Sequence, residues 1–386
     1  MTDHQRSRHG PLDVLFLSGD IGGNLPPTFA IAGELARRGH HVTIVGVRAR
    51  PQHSAPADVT TVELPALAQM DVTLPTGKFG HGPALMRMAL GRRTTREVRF
   101  LLTSQRADVI VVDGVMLTSL REALNTGTPT VVLFHSLGKF WEQGMGNPAL
   151  NALLRPFGLG PMALLERCAA RLLPTDRDID PAGRGSCRIA FDWIGTTEQA
   201  SPPAPRAPGS PPLVLVSLST AWQKNQDDVY QRIITALGQR ANGRSAVRAI
   251  VTTGGVPVQI DQTTLPANVE LRGRIPHAQI MPHADLVIGH GGHSTTLKAL
   301  AHGIPLLVLP LNSSSDQPLI GHTIERNRLG RALPANSLPE TIAKTINDIL
   351  TDHAIIAATA RTGERLRAQN GARNGADRIE MIGHGP

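Results

Sequence analysis

The run Leu286-Val287-Ile288-Gly289-His290-Gly291-Gly292-His293-Ser294-Thr295-Thr296 constrains this chain more than any other stretch. Its apolar, β-branched opening predicts a buried strand. The glycines predict a tight turn, and Thr296 to Ala301 reads as the start of a helix. A strand that empties through glycines into a helix points backbone N–H groups and the positive end of the helix dipole at one spot, where an anion such as phosphate is stabilised. Gly291 and Gly292 allow the backbone to approach that anion, His290 can donate a charge-assisted hydrogen bond, and Ser294 and Thr295 add hydroxyls. A second apolar run, Ile304 to Leu309, then delivers Asp316 and Gln317, an acceptor and an amide suited to sugar hydroxyls. The ligand these residues predict carries a diphosphate and a sugar.

Around this unit, short apolar runs alternate with amphipathic stretches from Leu12 to Leu350, the pattern of βα units on parallel sheets. The first half predicts strands at Asp13–Ser18, His41–Val45, Asp108–Val112 and Thr130–Leu133, with helices at Ala84–Gln105 and Ser119–Asn125. The second half predicts strands at Leu213–Ser217, Val247–Thr252, Val269–Leu271 and Leu286–Ile288, and helices at Asp227–Gln239, Leu338–Leu350 and Ala354–Asn370. Between them, Gln199–Pro212 contains six prolines and predicts a stiff linker. The expected domains are residues 12–198 and 213–370, joined by 199–212, with the last helix free to pack back on the first. With 386 residues there is material for two cores. At 3% aromatic content those cores must be aliphatic.

The same composition excludes several classes. No apolar run is long enough to cross a bilayer, and Met1 to Pro11 is polar and basic rather than signal-like. Two cysteines, Cys168 and Cys187, provide neither a disulfide framework nor a zinc site, which fits the cytoplasm. The net charge of +8 raises the question of nucleic acid, but the arginines lack aromatic interleaving. Anionic small molecules or a peripheral membrane surface fit that charge instead. Asp176-Arg177-Asp178-Ile179-Asp180 contains an Asp-x-Asp, read as a turn with solvated carboxylates, so no metal site is expected.

The stretch from Arg274-Ile275-Pro276-His277 through His290-Gly291-Gly292-His293-Ser294-Thr295 to Asp316-Gln317 resembles the nucleotide-sugar signature of inverting GT-B glycosyltransferases, the UDP-glycosyltransferase family of plant and antibiotic-tailoring enzymes. The amino-terminal Val14–Ser18, Gly23–Thr28 and Gly39–Val45 resemble that family's first strand, turn and second strand. The resemblance implies an α/β protein of GT-B type, two Rossmann-like domains facing a cleft. It implies sugar transfer from a UDP- or dTDP-sugar to a hydrophobic small molecule, with no cofactor and no metal. By the same resemblance, His277 would stack on the nucleobase and Ser219 and Thr220 would contact phosphate or nucleotide. His290, Gly291, Gly292, His293, Ser294 and Thr295 would hold the diphosphate, and Asp316 and Gln317 the sugar.

Two positions depart from that pattern. Lys298 stands where plant members carry a ribose-binding glutamate, and Asn24 stands where many members carry the histidine that acts as general base. An amide cannot take a proton at neutral pH. Asp113, which matches the aspartate that orients the missing histidine, is the first candidate replacement, followed by His135 and Asp20. An acceptor that is already acidic or carbanion-like, a phenol or an electron-rich aromatic carbon, would relax the need for a base, so O- and C-attachment both stay open. Met86-Arg87-Met88 with Phe79 and Leu85, and Gly138-Lys139-Phe140-Trp141, are candidates for an apolar acceptor surface or for ordinary core. A non-catalytic helper of the same fold is the rival reading, supported by Asn24.

Overall fold

The computed structural model describes residues 10–47, 55–67, 71–76, 81–240 and 246–385. Phe79 and most of the expected amino-terminal leader lie outside the described residues. The first half forms β1 (Asp13–Leu17), β2 (His41–Val45), β3 (Thr60–Val62), β4 (Val109–Asp113), β5 (Thr130–Leu133), β6 (Ala170–Leu173) and β7 (Asp192–Trp193). They make one parallel sheet in the order β3-β2-β1-β4-β5-β6-β7. The second half forms β8 (Leu213–Ser217), β9 (Arg248–Thr252), β10 (Val269–Arg272), β11 (Leu286–Gly289), β12 (Leu306–Val308) and β13 (Gly330–Ala332). These are also parallel, in the order β10-β9-β8-β11-β12-β13.

Each sheet therefore runs outward in both directions from its first strand, so the chain direction across the sheet reverses beside β1 and beside β8. Connections on either side of that reversal leave in opposite directions and open a crevice at the carboxyl ends of the strands. In the first sheet that crevice lies between β1 and β4; in the second it lies between β8 and β11.

The central strands are apolar because both of their faces are covered. Leu15, Leu17, Ile110 and Val112 join one core, while Val14, Phe16, Val109 and Val111 join the core on the opposite face, the period of two expected of a strand. In the second unit Val214, Val216, Leu286 and Ile288 pack with Val229, Ile233 and Leu237 of the helix Gln226–Gly238. Tyr230 of that helix is fully buried, and its hydroxyl donates to the Thr252 carbonyl at 2.8 Å.

Three details depart from the sequence pattern. The helix expected over Ala84–Gln105 is two helices, Gly82–Leu90 and Arg92–Ser104, broken where Gly91 turns extended (ψ 139°). A final helix, Gly371–Gly383, had no sequence signal of its own. It belongs to the first unit, where it packs on the helix Leu25–Arg37 and Arg38 pairs with Asp377 and Glu380, each at 2.7 Å. The proline-rich stretch is laced to the second unit rather than loose. Ala204 N–H donates to the Pro282 carbonyl at 2.6 Å, Arg206 pairs with Asp285 at 2.7 Å, and the His302 ring meets the Ser201 carbonyl at 2.8 Å. Among the described residues, the first unit comprises those within 10–71, 81–197 and 370–385, and the second 72–76 and those within 198–369.

Candidate functional site

The crevice of the second sheet is built by the strand–turn–helix seen in the sequence. β11 ends at Gly289, His290-Gly291-Gly292 turns, and the helix His293–Ala301 begins with Gly292 as its N-cap, which offers no side-chain cap. Gly291 has φ +86°, and a Cβ there would come within 2.9 Å of the Gln317 carbonyl and 3.1 Å of Val308. Glycine is thus required for the turn and for its close approach to the helix Gln317–Arg326. Asp316 and Gln317 are brought against the glycine turn by that contact.

The charges here differ from the expectation. Burial pushes the His290 ring down to about 4, so at neutral pH it is uncharged, and its Nδ1 has no hydrogen-bond partner. It can offer one N–H to an anion, without the help of a positive charge. His277 begins the short helix His277–Ile280, and its Nε2 lies 3.0 Å from the Ser217 hydroxyl at the end of β8. Burial, with the Lys298 and Arg274 charges, also pushes His277 down to about 4. Ser219 accepts from the Ala221 N–H at 3.0 Å in the turn after β8, beside the exposed Thr220.

The Ser294 hydroxyl donates to Glu198 at 2.7 Å, so in this state its one proton is engaged. Lys298 faces the other oxygen of the same carboxylate at 3.5 Å. Glu198 had no sequence signal, being 96 residues from Ser294. It offsets the positive charge of Lys298. Thr295 and His293 are half-buried in the first turn. Gln317 accepts the Leu311 and Asn312 N–H groups at 2.8 and 3.0 Å, which leaves its NH₂ as the group for a hydroxyl. Asp316 sits at the N-cap of its helix but makes no side-chain cap bond.

The crevice of the first sheet gathers the other candidates. Asp113 ends β4 and is 3% exposed. Its Oδ2 accepts from the Asn24 amide at 2.8 Å, and its Oδ1 accepts from the Val115 N–H at 3.1 Å. Asn24 is tied down further by Ser18 Oγ at 3.3 Å and the Gly19 carbonyl at 2.7 Å, and accepts from the Ile21 N–H. His135 follows β5, and its Nε2 stands 3.2 Å from the same Asp113 Oδ2, close but short of hydrogen-bond alignment; Nδ1 has no partner. A carboxylate beside Nε2 favours the proton on that nitrogen and leaves Nδ1 as the basic lone pair. The next residue, Ser136, has φ +87°, a strained conformation for a residue with a Cβ. Asp20 is buried in the β1 loop and accepts from the Gly22 N–H.

Apolar candidates divide between core and surface. Met88 is 3% exposed and lies against Gly19, while Met86 is 57% exposed. Trp141 packs against Phe134 with the ring centroids 4.9 Å apart and the planes tilted by 49°, and its indole N–H donates to the His135 carbonyl. The Asp-x-Asp turn is solvated only in part: Asp178 is exposed, whereas Asp176 and Asp180 are buried, and Asp180 accepts from Gly138, Ala182 and the Trp193 indole. Among the described residues no group of three or more His, Cys, Asp or Glu side chains is arranged to hold a metal ion.

Both halves of the chain are similar to known proteins. Residues 248–380 match the family model of the erythromycin biosynthesis protein CIII-like C-terminal domain, and residues 28–179 match a glycosyl transferase 4-like domain. The chain is 25% identical to zeaxanthin glucosyltransferase of Pseudescherichia vulneris over 91% of its own length and 93% of that protein. It is 30% identical to demethyllactenocin mycarosyltransferase of Streptomyces fradiae over 44% of its length and 36% of that protein. The crystal structure of the kitacinnamycin glycotransferase superposes with a TM-score of 0.76 at 20% identity, covering 97% of this chain and all of that one.

Proposed function

We propose that this chain, a GT-B UDP-glycosyltransferase of the antibiotic and natural-product type that transfers sugar to small molecules, uses a UDP- or dTDP-sugar and an apolar, phenolic or aromatic acceptor, with inversion. One observation supports the donor half most: Gly291 presses the glycine turn against the start of the Asp316–Gln317 helix, which gathers anion-binding N–H groups and sugar-binding side chains at one switch point.

In this reading the leaving diphosphate rests at the N-terminus of the helix His293–Ala301, where backbone N–H groups and the dipole meet the charge released as the anomeric C–O bond breaks. Thr295 and the single N–H of His290 add donors, and His277 lies flat against the base. Asp316 and the Gln317 NH₂ orient the sugar. The acceptor oxygen forms its bond to the anomeric carbon from the opposite face, and its proton passes to His135 Nδ1. Asp113 stabilises the imidazolium that results, held in place by the Asn24 amide. Asn24 is then a clamp on Asp113, and His135 takes the acid–base role. The helix terminus supplies the positive end without a metal, so the rate should be insensitive to EDTA.

The first test is calorimetric titration with UDP, dTDP and their glucose conjugates, beside a His290→Ala variant. Micromolar binding that the variant loses supports the donor site and names the nucleotide. No binding to any of them overturns it in favour of the helper reading.

A further inference from the structure

We infer that the exposed face of the helix Arg92–Ser104 is a docking surface for an anionic lipid bilayer. One side of this helix is core: Thr94, Val98 and Leu101 are buried in the first unit. The other side presents Arg92, Arg93, Arg96 and Arg99 together with Phe100, all exposed. Positions 92, 96 and 100 are four apart and line one stripe, with 93 and 99 flanking it.

Two features make this face unusual for plain solvent. Phe100 is 74% exposed, and Met86, on the neighbouring helix Gly82–Leu90, is 57% exposed. Aromatic residues are only 3% of the chain, and Phe134, Trp141 and Phe191 of this unit are interior; Phe157, 65% exposed, lies on a different segment, outside the arginine-rich helix. The charge is also one-sided. From Gly82 to Ala107 there are six arginines and one acidic residue, Glu97. Arg93 pairs with Glu97 at 2.7 Å and Arg99 with Glu122 at 2.8 Å. Among the described residues, Arg87, Arg92, Arg96 and Arg106 have no ion-pair partner.

A stripe of unpaired guanidinium groups around one exposed aromatic ring matches a headgroup surface. The arginines meet lipid phosphates bidentately while their stems lie on the acyl boundary, and the ring inserts at that boundary. A nucleic-acid partner is disfavoured because a single ring offers no series of stacking platforms. The surface lies outside the residues assigned to donor binding or catalysis, so it stands independently of the proposed reaction.

The test is co-sedimentation of the full chain with vesicles of phosphatidylcholine alone and of phosphatidylcholine mixed with phosphatidylglycerol, at rising salt. The expected result is binding to the anionic vesicles alone, weakening with salt. The variant Arg92→Gln/Arg96→Gln should bind about 25-fold more weakly, from about fivefold per charge. Phe100→Ser should lose about tenfold. All three side chains are exposed, so circular dichroism and UDP titration should match the parent chain, which separates loss of docking from loss of fold or donor binding. Equal binding to neutral vesicles, no binding to either, or variants that bind as tightly as the parent would overturn the inference. So would concentration-dependent self-association that Phe100→Ser abolishes while vesicle binding is absent.

Discussion

The two sheets share one strand order, yet their crevices have opposite chemistry. Beside β1 the strand ends carry Asp113, Asp20 and the His135 imidazole, whose Nε2 faces Asp113 and whose Nδ1 has no hydrogen-bond partner, the groups proposed for proton transfer. Beside β8 they carry a glycine turn, a helix N-terminus and two imidazoles held neutral by burial, the groups proposed to receive an anion. The backbone topology places a crevice in each unit; in the proposed reading the few side chains at the strand ends suit one to moving protons and the other to holding phosphate. The order shared by all six strands of the second sheet and the first six of the first also shows why the fold alone says little about chemistry.

The sharpest way to break the comparison is at His135. His135→Ala should lower kcat/KM by about 10²–10⁴ while UDP affinity stays unchanged, measured by product formation and calorimetry. A loss of UDP binding instead would mean the first crevice is not separate in function. In the second crevice, Gly291→Ala forces a left-handed conformation on a residue with a Cβ and crowds the Gln317 carbonyl. It should cost about 1–3 kcal/mol of stability and weaken donor binding at least as much as His290→Ala.

The third prediction uses pH. His290 titrates near 4 when folded and near its ordinary value when unfolded. Between those values the unfolded chain takes up the proton and the folded chain does not. Stability is therefore full above about pH 6.5 and falls as pH drops toward 4, by about 3 kcal/mol for this one ring. His290→Gln should flatten that slope in urea melts, with the His277 contribution remaining. The smallest effect is expected at Glu198. Glu198→Ala should release the Ser294 hydroxyl and the Lys298 ammonium toward the diphosphate and tighten UDP binding by several-fold, in calorimetry.

Legibility in the sequence followed contiguity. β2, β5 and β8 fall where their apolar, β-branched runs predict them, residue for residue. The glycine turn could be read because its strand, turn and helix are adjacent in the chain. β7 and β13, two and three residues long, are too short to show a period. The final helix contains Gly371, Gly375 and Gly383 and has little intrinsic propensity. It forms because Gly375 lets it lie on Ile31 and Ile194, a contact no local pattern reveals. The site divides in the same way. Asp113, His135 and Asn24 could each be named from the sequence, but that both side chains converge on one Asp113 oxygen is a fact of three separate strand ends. The neutral state of His290 comes from burial, and the engagement of Ser294 by Glu198 from a long-range contact, so neither could be read in advance.

The lacing of the proline-rich stretch sets the rules for recombining this chain with a relative. A junction placed among the prolines would cut a strap anchored at Pro282, Asp285 and His302, and would leave Asp285 without its arginine in the chimera. It would also graft Glu198 from the wrong parent onto the helix whose Ser294 it holds. The natural seam lies between Thr197 and Glu198, with Gly371–Gly383 carried along with the amino-terminal half, since Arg38 and Ile31 are the surfaces that helix packs on, and with residues 72–76 taken from the parent of the carboxyl-terminal half, whose unit they join.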